Sequence, residues 1–153
     1  MIEKKLVNNM INYWNSLDLG DTAIPTIDKL NIESPLIKEI WDKCLSATIT
    51  DQNKMSLRYE HIGSEVKDLF GDNCEALELK EASLSYNPVT KIIGKVKAQS
   101  VKKNIKPVTD SSYFELPDGR IIRYRSCLLP FGKGEILENV IIGFSWKISI
   151  YND

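Results

Sequence analysis

Histidine is nearly absent from the chain: His61 is the only one in 153 residues. With one imidazole and nothing marking a strained nucleophile, no Ser-His-Asp or Cys-His arrangement can be proposed. Cysteine is also scarce. Cys44, Cys74 and Cys127 are odd in number and lack a C-x-x-C spacing, so neither a disulfide framework nor a zinc site is suggested. They read as reduced, buried thiols. Neither sign of charge is in excess: 20 basic and 21 acidic residues leave a net charge of −1, and the lysines are scattered instead of striped. Nucleic acid is therefore not an expected partner, because phosphate affinity rests on concentrated positive charge. The start, Met1-Ile2-Glu3-Lys4-Lys5, carries an early acid, and no apolar run is long enough for a secretory signal or a membrane span. A cytoplasmic location without membrane contact is expected.

What is present is pattern. From Val140 to Ile150, Val140, Ile142, Phe144, Trp146, Ile148 and Ile150 alternate with Ile141, Gly143, Ser145, Lys147 and Ser149. A period of two predicts a strand with one apolar face. Burying each of those side chains is worth roughly 1.5–3 kcal/mol, so helices from the first two thirds of the chain are expected to cover them.

Residues 3–17 place Leu6, Met10, Tyr13, Trp14 and Leu17 on one helical stripe, opposite Glu3, Lys5, Asn8, Asn12 and Asn15. Leu19-Gly20-Asp21 ends that helix, and Ser34-Pro35 opens a short one through Ile37, Ile40 and Trp41. Residues 1–42 thus read as a helical arm, and 43–153 as the sheet-bearing domain. Cys44–Thr50 and Met55–Ile62 predict a hairpin around Asp51-Gln52-Asn53-Lys54, with Met55, Leu57, Tyr59 and His61 on its inward face. Ser64 caps a short helix burying Val66, Leu69 and Phe70, which Gly71 ends, and further helical turns fit Cys74 to Ala82. Asn87-Pro88 opens the clearest internal helix, with Val89, Ile92, Ile93 and Val96 on one face. Its lysines, Lys91, Lys95, Lys97, Lys102 and Lys103, form a solvated side, and Gly94 marks either a close backbone approach or chance.

Three strands follow. The first runs from Asp110 to Leu116 and turns at Pro117-Asp118-Gly119. The second is Arg120–Leu129 and reverses over Pro130 to Gly134, and the last starts near Ile136. The fold class is therefore α+β: a five-stranded antiparallel sheet with helices on one face, preceded by an amphipathic N-terminal helix.

That element order resembles Per-Arnt-Sim (PAS) sensor domains, specifically the single-domain PAS-like family of alphaproteobacteria (PAS_5 type). The residues that carry the likeness are Tyr13-Trp14-x-x-Leu17, Arg58-Tyr59-x-x-Ile62-Gly63, Phe70-Gly71, and Leu128-Leu129-Pro130 with Ile142-Gly143. Ala76 stands where the family continues with a second Gly. The resemblance implies a sensory or regulatory module whose short helices enclose a small cavity, with dimerisation through the N-terminal helix and no known reaction.

Two cofactors come into question on this resemblance. Gly71-Asp72-Asn73-Cys74 is similar to the G-x-N-C motif of light-oxygen-voltage domains, a flavin-binding PAS branch. Glu75 replaces the phosphate-binding Arg, Ala76-Leu77-Glu78 replaces the expected continuation, and the flavin-holding Asn pair and Gln are missing, so a flavin photosensor is the least favoured reading. Haem is disfavoured because His61 lies on a strand, not on the Asn87 helix where the haem-binding branch places its ligand. No cofactor or metal is expected. The candidate cavity contacts are Tyr59, His61, Phe70, Cys74, Ile92, Val96, Tyr124, Phe144 and Trp146.

Arg123 and Arg125 share one face of the fourth strand with Ile121, Cys127 and Leu129, against Ile122, Tyr124, Ser126 and Leu128. Pointing inward, the pair would fix a carboxylate or phosphate; pointing outward, it would pair across strands, the reading that avoids burying unpaired guanidinium groups. The function expected is a non-catalytic PAS-like module, without an effector domain of its own, that binds a small molecule or a protein partner and signals through interfaces, including a homodimer through residues 3–17. Two alternatives stand beside it. One is a docking platform without a ligand. The other is a small α+β cone enzyme, of isomerase or hydratase type, using a carboxylate or His61 as base.

Overall fold

The computed structural model describes residues 4–17, 19, 23–70, 88–115 and 119–150. Helix α1 (Lys5–Asn15) and helix α2 (Pro35–Ile40) make the arm, with short 3-10 turns at Ile27–Lys29 and Trp41–Lys43. Strands β1 (Cys44–Asp51) and β2 (Ser56–Ile62) follow, then α3 (Ser64–Phe70), α4 (Pro88–Val101), and β3 (Val108–Glu115), β4 (Ile121–Lys133) and β5 (Ile136–Ser149). All five strands pair antiparallel in one sheet, in the order β2-β1-β5-β4-β3. The α+β architecture is as the sequence predicts, and β5, the strand of clearest alternation, is its centre. Among the described residues, no helix is long and apolar enough to cross a membrane.

Local chemistry sets most boundaries. Ser34 caps α2 by accepting the Ile37 N–H at 3.5 Å, with Pro35 in the first turn. The Asp51 carboxylate accepts the N–H groups of Asn53 and Lys54, each at 2.9 Å, and shapes the β1–β2 turn. The β4–β5 reversal falls at Gly134, whose φ of 60° suits glycine, and not across Pro130–Gly134 as expected. Pro130 stays in β4 because β3 pairs only as far as Leu128. Beyond that point β4 is an edge, where a missing N–H costs no ladder bond. The Gly132 N–H then donates to the Pro25 carbonyl at 2.9 Å.

Both sheet faces are covered. A Cβ added to Gly143 would lie 2.4 Å from the Met10 sulfur, which fixes the odd-numbered side of β5 as the α1 side. Register carries that face to Cys44 and Cys127, both opposite Gly143, and to Leu129 opposite Ile141. The even side, Val140, Ile142 and Phe144, belongs with Leu45, Ala47, Leu128 and Ser126. It faces α4, whose Val89, Ile92, Ile93 and Val96 are buried as the helical spacing predicts. The expectation of one apolar and one mostly polar face therefore fails around the middle of the sheet. Cys44, Cys127, Leu129 and Ile141 are apolar too, and α1 buries them. It also fails at the far end of β5, where Trp146 is half-buried and Ile148 is exposed.

The α1 stripe is docked on the chain's own sheet. Leu6, Met10 and Trp14 are buried, and the Trp14 indole N–H donates to the Pro130 carbonyl at 2.8 Å.

Candidate functional site

The residues proposed for a cavity divide into three groups. Ile92, Val96, Tyr124 and Phe144 come together, buried between α4 and the even face of the sheet. Tyr124 meets the Phe144 ring edge-on with centroids 6.4 Å apart, and the Phe114 ring lies 6.1 Å away on its other side. Register puts Tyr59 on this face, opposite Ala47, with Trp146 opposite Tyr124; both are half-buried. Cys74 and the side chain of Phe70 lie outside the described residues.

His61 is a correction. The pairing runs Ser46 to His61 and Ala47 to Tyr59, leaving Glu60 as an extra residue in a bulge. A bulge breaks the alternation, so His61 turns to the opposite face from Tyr59. There its ring stacks on Trp41 at 4.3 Å with an interplanar angle of 6°. Its Nε2 lies 3.1 Å from the Trp41 carbonyl oxygen; a carbonyl only accepts, so Nε2 carries the hydrogen. Glu60 is held beside it by Arg58 at 3.0 Å and Thr48 at 2.9 Å, which keep its carboxyl below the usual range. The α4 side is thus left without the one histidine a base-catalysed reaction was expected to use.

A charged cluster that sequence reading missed pins α4 to the sheet edge. Asp110, on β3, lies 3.1 Å from Lys95 and 3.8 Å from Lys91, and its Oδ2 accepts the Tyr124 hydroxyl at 3.1 Å. Lys95 also donates to the Thr109 carbonyl at 2.7 Å. Burial, the Asp110 charge and the bond to its carboxylate push the Tyr124 phenol upward, so it acts as a donor. The spacing of Lys91 and Lys95 was legible, but their acceptor sits 15 residues or more downstream on an edge strand.

On the other face, Cys44 and Cys127 flank Gly143 beneath α1. Burial pushes both thiols up to about 12, with Cys127 adding to the shift at Cys44, so neither is a nucleophile at neutral pH. Arg123 and Arg125 lie on this face, which register now fixes. Arg123 donates from Nη1 to Ser149 Oγ at 2.9 Å, the outward cross-strand arrangement. Arg125 lines an open groove of about 450 Å³ between the start of α1 and the β3–β4 pair, with Lys4, Val7, Ile11, Ser111 and Lys95. Among the described residues, no group of His, Cys, Asp and Glu side chains could hold a metal ion. Compared with protein-family models, curated proteins and solved structures, the chain gives no match.

Proposed function

We propose that the chain is a non-catalytic, PAS-like sensory or regulatory module of the cytoplasm. On this reading it binds a small molecule or a protein partner on the α4 side of its sheet, and α1 on the other side gives the output. One observation carries it: adjacent residues of the central strands touch different helices. Phe144 is buried on the α4 side while Gly143 receives Met10 of α1; on β4, Ser126 and Cys127 make the same division. Packed interiors transmit displacement instead of absorbing it, so a change beneath α4 alters the seat of α1. The order of arm, hairpin, helices and three further strands also supports the PAS-like reading.

The mechanism is a population shift between docked and released α1. Release exposes Leu6, Met10 and Trp14, the stripe that would then meet a partner or a second copy. On the α4 side the Asp110 carboxylate is engaged by Lys91, Lys95 and the Tyr124 hydroxyl, and Tyr124 is held as a donor, which favours sensing over turnover.

Native-state hydrogen exchange tests the switch. The amides of α1 are expected to exchange through an opening that leaves β4 and β5 protected, because switching elements come from the less stable part of a fold. If α1 exchanges only with global unfolding, the helix is not a switch and the reading fails. Native mass spectrometry of gently purified protein reports a copurified small molecule and the subunit count together.

A further inference from the structure

One cross-strand row on the α1 face reaches the surface. Tyr113 of β3, Arg123 of β4 and Lys147 of β5 lie side by side in register. Tyr113 is 64% exposed, Lys147 is exposed and Arg123 is half-buried. The neighbouring row begins with Ser111 and Arg125, which share a groove with Lys4 and Val7, so the exposed row lies next to the start of α1.

Arg123 and Lys147 are like charges directly opposite one another, an arrangement that works against the sheet. Arg123 donates to the Ser149 hydroxyl, which is neutral and leaves the charge in place. Among the described residues neither cation enters an ion pair, and neither does Glu115, two residues from Tyr113 on the same face. We infer that this row is a docking surface for an acidic segment of another protein, whose carboxylates relieve the repulsion. The side chains fit such a partner. Opposed residues stand about 5 Å apart at their Cβ atoms, and these two have long stems. They can meet two carboxylates on one side of an extended segment, which recur roughly every 7 Å. Tyr113 offers a ring to an apolar residue between them, and Tyr and Arg are the side chains that protein interfaces favour. Other anions fit less well. A flat face does not enclose a small molecule, while phosphate backbones and anionic bilayers are held by about 4–10 cations instead of two.

Titration of the full chain with the peptide acetyl-Glu-Phe-Asp-Phe-Glu-amide, followed by amide chemical shifts, tests the surface. Shifts are expected to centre on residues 113, 123 and 147, and affinity should fall as salt is added. The neutral analogue acetyl-Gln-Phe-Asn-Phe-Gln-amide should bind at least tenfold more weakly. Lys147→Glu separates binding from folding: it turns the like pair into an opposite one, so Tm should rise by about 1–3 °C while peptide affinity falls tenfold or more. Lys147→Arg should keep the affinity. Unchanged affinity or a lowered Tm in Lys147→Glu, equal binding of the neutral peptide, or shifts centred elsewhere would overturn the inference. So would tighter binding of oligothymidylate or of phosphatidylserine vesicles under the same conditions. The wild-type shift map stands even if a variant fails to fold. None of these outcomes depends on a ligand beneath α4 or on release of α1, so the proposed function stands or falls separately.

Discussion

The docking of α1 rests on an absent side chain, and this can be tested by restoring one. In Gly143→Ala the new methyl would lie 2.4 Å from the Met10 sulfur, 3.0 Å from its terminal methyl and 3.3 Å from the Cys44 sulfur. Comfortable contact between such atoms begins at about 3.5 Å, so the thioether has to move about 1 Å within a site where Met10 is wholly buried. Methionine is the most adaptable apolar side chain, which holds the expected loss to about 1–3 kcal/mol instead of unfolding the protein. Met10→Ala alone leaves a cavity and is expected to cost about 2–5 kcal/mol. In the double variant the methyl added at position 143 occupies part of that cavity, so the combined loss should fall short of the sum by about 1–2 kcal/mol. Urea unfolding followed by far-UV circular dichroism measures all four corners of the cycle. For a chain of this length, each kcal/mol also shifts Tm by about 2–4 °C. Additivity to within about 0.5 kcal/mol would refute the claim that Met10 sits over Gly143, and with it the seat of α1 on which the proposed signalling depends.

Two further outcomes are expected. At Gly63 an added Cβ would meet backbone, 2.2 Å from the Asp42 oxygen, which cannot swing aside; Gly63→Ala should therefore cost about 3 kcal/mol or more. At Gly94 nothing among the described residues lies within 4 Å, so Gly94→Ala should stabilise α4 by about 0.5–1 kcal/mol; thermal melts of the two variants should move in opposite directions. Alkaline pH should unfold the protein through its thiols. Cys44 and Cys127 keep their protons to about 12 when folded, whereas the unfolded chain sheds them near 9.0. The folded values are raised, so stability is intact below pH 9 and falls as pH rises towards 12, by roughly tenfold in the folding constant per thiol per pH unit. In a Cys74→Ser background, Cys127→Ala should halve that slope between pH 9 and 10. A slope that Cys127→Ala leaves unchanged would show that the thiols are not responsible.

Legibility followed the range of the interactions. The α4 stripe, the capped start of α2 and the alternation of β5 depend on neighbours within a few residues, so helix and strand spacing revealed them. Where a partner lay far along the chain, reading stopped. Pro130 looked like the start of a reversal because its lack of an N–H is local, whereas the start of β3 at Val108, which makes that lack harmless, is not. Gly94 could have marked a close approach and does not among the described residues; Gly63 and Gly143, which do, were read only as parts of short motifs. The candidate site divided along the same line. Ile92, Val96, Tyr124 and Phe144 followed from periodicity, while His61 was misplaced because one extra residue at Glu60 reverses the side to which it points.

By itself, then, the amino-acid sequence determined which segments are helix and strand, that they form an α+β sheet protein, and which faces of α1 and α4 are apolar. These properties repeat along the chain with the period of the backbone. Only the tertiary structure decided what each apolar face meets. It set α1 against its own sheet, Asp110 beneath two lysines of α4, and Arg125 beside Lys4 in one groove. An apolar or charged surface specifies that it must be matched, but strand order and register choose the match.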